Sequence, residues 1–133
     1  MLEDADAAIV ALGSMCGTVK YVVNQLRAEG KKVGMLKITM FRPFPAELVR
    51  EALKDVPVVG VFDRSSCLGN QHGPLWNEVA GALTRTNADV RHYIGGVAHL
   101  FDVFFLDDSS HVSPIRFPSA LPSLWTGSVR NAV

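Results

Sequence analysis

Three times in succession the chain passes from a short apolar run, through a break marked by glycine or proline, into a stretch whose apolar residues recur at helical spacing. Nothing else in the sequence restricts the fold as much. A run that is apolar on both of its faces belongs to a strand covered from above and below. A helix leading from one such strand to the next returns it parallel, by a right-handed crossover. The pattern therefore predicts a three-layer α/β domain, with helices on both sides of a mainly parallel sheet.

Ala7, Ala8, Ile9, Val10, Ala11 and Leu12 form the first strand, ended by Gly13. Ser14 takes the N-cap position of the first helix, whose Val19, Val22, Val23 and Leu26 share one face until Gly30 stops it. Val33, Met35, Leu36, Ile38 and Met40 make the second strand. Phe41-Arg42-Pro43-Phe44-Pro45 follows as an extended segment, since residues before proline avoid the helical region, and Pro45 suits the first position of a helix. That helix turns Leu48, Val49, Ala52, Leu53 and Val56 inward and Glu47, Arg50, Glu51 and Lys54 outward. Residues 57–62 are the third strand, running into Asp63-Arg64, and 65–73 is a polar loop containing glycine. Pro74 opens a third helix with Leu75, Trp76, Val79, Ala80 and Leu83 on its apolar side, and Val90 to Ile94 is the fourth strand.

At 133 residues there is room for one domain and no second. Thirteen basic side chains cancel 13 acidic ones, which removes the positive field that nucleic acids and anionic membranes select, so neither is expected as a partner. No basic and apolar leader opens the chain, and the apolar stretches 7–12 and 97–106 fall short of the roughly 20 residues a membrane span needs, so a cytoplasmic location is expected. Cys16 and Cys67 are expected to be free thiols. Two of them cannot hold an iron–sulfur cluster, which takes about four. The domain proper is expected to span 1–106. Residues 107–133, rich in serine and proline and without an acid from Ser109 on, read as a poorly structured tail in which Leu124 and Trp125 could serve as an anchor. Within 97–105, Val97, Leu100, Phe101, Phe104 and Phe105 make an apolar patch on which self-association is expected.

Residues that carry chemistry are sparse. Gly13-Ser14-Met15-Cys16-Gly17 lies between a strand and its helix, where unpaired N–H groups and the helix dipole favour anions, so Gly13, Ser14 and Gly17 are candidates for an anion-binding turn. Against a nucleotide stand the missing third glycine, the missing Lys-Ser/Thr of a P-loop, and Thr39, Met40 and Phe41 where an acid would hold the ribose. Asp63 and Arg64 fall at the carboxyl end of the third strand, the edge at which open α/β sheets carry their sites. They serve there either as site residues or as a paired or capping arrangement that holds the following loop. Cys67 and His72 have no partner at nucleophile or ligand spacing, His92 reads as a half-buried strand residue, and His99 and His111 stand apart. No metal site and no catalytic residue is expected.

Ala7 to Gly13 with Ser14-Met15-Cys16-Gly17-Thr18, the string Gly34-Met35-Leu36-Lys37-Ile38-Thr39-Met40-Phe41-Arg42-Pro43-Phe44-Pro45, the pair Asp63-Arg64, and Gly73-Pro74-Leu75 together resemble one known family. It is the transketolase C-terminal-like domain of 2-oxoacid:ferredoxin oxidoreductases, nearest to the alpha chain, or the equivalent fused segment, of pyruvate:ferredoxin oxidoreductase. The likeness covers residues 5 to 96. It implies an assembled enzyme that decarboxylates a 2-oxoacid with thiamine diphosphate and magnesium, passes electrons through iron–sulfur clusters to ferredoxin, and releases an acyl-CoA. It implies too that these cofactors sit elsewhere, with none on this chain, and that the choice of 2-oxoacid is made elsewhere. This domain would be a noncatalytic module packed against other domains or subunits, with Asp63, Arg64 and Gly73 in a domain-contact or substrate-edge role. After Gly95-Gly96 the sequence departs from the family, with Val97-Ala98-His99-Leu100-Phe101 in place of a glycine-arginine-aspartate run. The alternative is a free-standing nucleotide- or CoA-binding module working through the Gly13 turn.

Overall fold

The computed structural model describes residues 1–95. Strands β1 (Ala7–Leu12), β2 (Val33–Ile38), β3 (Val58–Asp63) and β4 (Asp89–Ile94) alternate with helices α1 (Met15–Ala28), α2 (Ala46–Leu53) and α3 (Pro74–Leu83). The strands pair in parallel in the order β2-β1-β3-β4. The chain thus steps outward from β1 to β2, crosses back over β1 to β3, and continues to β4. Steps in opposite directions with a single crossover hand put the helices on opposite faces. Side chains alternate along β1 to match. Ile9 and Ala11 meet Met15, Cys16, Val19 and Val23 of α1 on one face. Ala8 and Val10 meet Val49 and Leu53 of α2 and Leu75 and Val79 of α3 on the other. This is the three-layer parallel architecture that the alternation predicts.

Gly13 adopts φ +71°, the left-handed conformation that lets β1 turn at once into α1. At the other end of α1 the Gly30 N–H donates to Arg27 O at 2.9 Å and the Lys31 N–H to Leu26 O at 3.0 Å, the Schellman arrangement that consumes the last carbonyls. Ser14 does hold the N-cap position, but its hydroxyl makes no capping bond.

Several boundaries differ from the sequence reading. The last β1–β2 pair is Leu12 with Ile38, so Thr39 and Met40 run past the end of β1 and Met40 is exposed rather than part of a strand. Pro45 is the N-cap of α2, one position before the helix. Leu48 faces solvent at 74% exposure. The sheet is met by Val49, Leu53 and the following Val56, and a residue adjacent to that stripe is rotated about 100° away from it. In α3 it is Ala82 that is buried, with Ala80 half-buried. The patch at 97–105, the boundary at 106 and the tail 107–133 lie outside the described residues. No helix among the described residues is long and apolar enough to cross a membrane.

The residues before β1 lie over the start of β2. Arg27 of α1 donates from Nε to Val33 O at 2.6 Å and from Nη2 to Asp4 Oδ1 at 2.6 Å and Met1 O at 3.2 Å. The guanidinium, chiefly through that hydrogen bond, holds the Asp4 carboxyl below its usual range. Beneath this segment is Gly34, where a Cβ would run into Met1 O and a methyl of Leu2.

Candidate functional site

Because the winding reverses between β1 and β3, the segments leaving their carboxyl ends part to opposite faces and leave a crevice at the sheet edge. It measures about 190 Å³ and is walled mainly by Leu12, Met15, Phe41, Phe62 and Leu75, with Asp63 and Arg64 beside it.

Asp63 is only 5% exposed. Its Oδ1 accepts from the Leu75 N–H at 3.0 Å and its Oδ2 from the Trp76 N–H at 2.9 Å. These are the second and third residues of α3, a helix whose own N-cap is Gly73 and whose first residue is a proline. A helix start of this kind offers N–H groups and no local side chain to receive them. The carboxylate of β3 does so from a distance, and its charge suits the positive end of the helix dipole. The fit depends on Gly73. Its φ of −81° and ψ of 165° are open to any residue, but a Cβ there would overlap the side chain of Asp63.

β4 adds His92. The Gly73 N–H donates to His92 Nε2 at 3.0 Å, Asp63 Oδ2 lies 3.4 Å from the same nitrogen, and His92 Nδ1 is 3.3 Å from His72 Nδ1. A nitrogen that accepts the Gly73 amide carries no proton, so this bonding requires a neutral ring with its proton on Nδ1, shared with His72. Burial agrees: it pushes His92 below the ordinary value of 6.5, Asp63 pulls in the opposite direction, and the neighbouring His72 adds to the lowering, since two protonated rings this close would repel each other. The His72 ring stacks on Trp76 with centroids 3.8 Å apart. The native state thus resists protonation of His92, and the unfolded chain binds the proton more readily. This stabilisation is whole above pH 6.5 and is lost progressively as the pH falls below it. Denaturant unfolding at a series of pH values should show a decline in stability below pH 6.5 that is shallower in His92→Gln.

The loop between Asp63 and Gly73 is tied to α3. Cys67 N–H donates to His72 O at 2.9 Å, His72 N–H to Asn70 Oδ1 at 3.1 Å, Asn70 Nδ2 to Asn77 Oδ1 at 3.2 Å, and Asn77 Nδ2 to Cys67 Sγ at 3.6 Å. Among the described residues no buried side-chain nitrogen or oxygen lacks a partner. Arg64, by contrast, is exposed and makes no ion pair or hydrogen bond with a described residue. Asp63 therefore caps a helix and does not pair with its neighbour.

At the glycine turn the Cys16 N–H is directed to Gly13 O at 3.2 Å and the Gly17 N–H to Ser14 O at 3.3 Å, back into the turn itself. Gly17 lies within α1, with open space where its Cβ would be. Gly17→Ala should therefore raise stability by about 0.5–1 kcal/mol, seen as a higher melting temperature, since the helix gains propensity and meets no obstacle. Both cysteines are free, and burial pushes the Cys16 thiol up, away from thiolate chemistry. No group of three or more His, Cys, Asp or Glu among the described residues could hold a metal ion. With the Asp63 oxygens engaged and the two thiols on separate elements, these residues do not fit a magnesium-bound diphosphate or an iron–sulfur cluster.

The profile of pyruvate:ferredoxin oxidoreductase core domain II matches residues 5–100. The chain belongs to this family. Among characterised members, the pyruvate synthase subunit PorA of Methanocaldococcus jannaschii is 40% identical over 126 residues, covering 95% of this chain and 32% of that protein. PorA of Thermotoga maritima is 51% identical over 82 residues, 62% of this chain and 21% of that protein. The alpha subunit of NADH-dependent phenylglyoxylate dehydrogenase from Aromatoleum evansii is 43% identical over 99 residues, 73% of this chain and 24% of that protein. The chain therefore spans about a third or less of the length of these relatives. The fold also matches a split-gene transketolase solved as an inactive beta4 tetramer, with a TM-score of 0.55 and 24% identity over 70% of this chain and 30% of that one. Core domain II thus has the transketolase C-terminal-like α/β fold that the resemblance implies.

Proposed function

We propose that the chain is a noncatalytic interface module of a thiamine diphosphate-dependent 2-oxoacid:ferredoxin oxidoreductase in the cytoplasm, with pyruvate as the substrate. The assembled enzyme would oxidise the 2-oxoacid to an acyl-CoA and reduce ferredoxin, using thiamine diphosphate, magnesium and clusters held by its other parts. The family match and the names of the PorA relatives support the enzyme class. One observation carries the noncatalytic role: the buried carboxylate at the switch point, the best-placed polar group of the sheet, has both oxygens engaged by α3. Its work is to hold Gly73 and the start of α3 in place beneath an edge that neighbours can use.

The assay is 2-oxoacid-dependent reduction of ferredoxin. The chain alone should give none, and activity should require the remaining parts of the oxidoreductase; turnover by the chain alone would overturn this reading. Titration with nucleotides and CoA should show no binding. Micromolar binding lost in Gly13→Val would favour the free-standing module instead.

A further inference from the structure

We propose that the carboxyl-terminal edge of the sheet docks an acidic segment from another domain or subunit of the oxidoreductase. One apolar side chain of that segment fills the β1–β3 crevice, and Arg64 pairs with a neighbouring carboxylate. The proposal rests on the module reading above and specifies its contact.

Three independent features converge on this edge. The first is the distribution of exposed apolar side chains. Leu12 ends β1, Met40 stands just past β2, Leu68 lies in the loop after β3 and Ile94 ends β4, so each strand delivers one large exposed hydrophobic to the same end of the sheet. Single exposed leucines are ordinary, whereas a set gathered on one edge marks an interaction surface. Leu68 is the extreme case, fully exposed at 104%. It is also firmly presented: the Asn70 N–H closes a turn onto Cys67 O at 3.2 Å, Gly69 takes φ +73°, and the side chains of Asn70 and Asn77 fasten that turn to α3.

The second feature is size. At about 190 Å³ the crevice is smaller than the roughly 300–1,000 Å³ of sites that hold nucleotides or other cofactor-sized ligands. Its apolar walls suit one aliphatic or aromatic side chain, the kind of anchor that fills a pocket at the centre of a protein interface.

The third is charge. Arg27, Arg42 and Arg91 each face a carboxylate, Asp4, Glu78 and Asp89 respectively. Arg64, at the crevice, has none among the described residues, and the carboxylate next to it is already engaged by α3. Of these two charges Asp63 is buried and Arg64 exposed, so the charge offered to a partner at the mouth is the guanidinium, and the complementary surface is acidic. The supply of such a surface is ample, since relatives such as PorA extend to about three times the length of this chain.

The test uses the assembled oxidoreductase. In an Arg64→Lys variant, zero-length carbodiimide coupling should join the introduced amine to an Asp or Glu of another domain or subunit, identified by mass spectrometry of the linked peptides. Arg64→Glu should weaken docking by roughly tenfold, with the loss shrinking as salt rises, and Leu68→Ser should weaken it without that salt dependence. Neither substitution should move the melting temperature of the unassembled protein, because neither side chain has a bonded partner among the described residues to lose. If native lysines such as Lys20 or Lys54 couple to the rest of the enzyme while the amine introduced at position 64 does not, the module reading stands and this docking edge is wrong. Coupling to a second copy of the chain would overturn the proposed partner. If no lysine of the chain couples to the rest of the enzyme, the module reading fails with it.

Discussion

Asp63→Ala is expected to lower the stability of the domain by roughly 2–5 kcal/mol, because two backbone donors at the start of α3 lose their acceptor and each unmet buried donor costs about 1–3 kcal/mol. Against the roughly 5–15 kcal/mol that a domain of ordinary stability possesses, that is a large fraction. Leu75 is fully buried, so water cannot readily replace the lost oxygen at its N–H. Asp63→Asn should cost less, since the amide oxygen still serves one of the two N–H groups while the NH2 faces the other. Urea unfolding at neutral pH would order the variants as wild type, Asn, Ala. A midpoint for Asp63→Ala within error of wild type would show that the helix start does not depend on this carboxylate.

Gly73→Ala should be nearly as damaging, for a steric reason. The added methyl would overlap the Asp63 side chain, and overpacking of this kind costs about 1–3 kcal/mol before the displaced carboxylate loses its own bonds. The two residues should therefore be coupled. In an Asp63→Gly background, which removes the Cβ as well as the carboxyl group, the Asp63 atoms that a Cβ at position 73 would meet are gone, and adding Gly73→Ala should cost far less than it does in the wild type. A double-mutant cycle measures this directly, and strict additivity would mean that the two positions do not meet as described. Gly17→Ala provides the contrast, a glycine-to-alanine change with open space and the opposite sign.

The sequence reveals most where the determinants are local. The unit from Ala7 through Gly13 and α1 to Gly30 can be read directly, because a buried strand, a left-handed glycine and a Schellman stop each lie within a few residues of what they control. Position along β3 likewise brings Asp63 to the carboxyl edge. Its partners are another matter. Leu75 and Trp76 lie 12 and 13 positions away and His92 meets Gly73 across 19, distances over which no periodicity informs. A clue was nonetheless present. A helix opening at Gly73-Pro74 has no Ser, Thr, Asp or Asn at its cap, and a buried helix start without a local acceptor implies a distant one. Leu48 shows the converse failure: in a helix of eight residues, an apolar position next to the inward stripe is easily counted with it.

The placement of Met1 to Asp4 over β2 has a practical side. Arg27 clamps this segment at the end of the sheet where the strands begin, the pole opposite Leu12, Arg64 and Ile94. An immobilising group attached at the exposed Glu3 would act as a handle at the back of the molecule, so protein held through it would leave its candidate binding front facing solution.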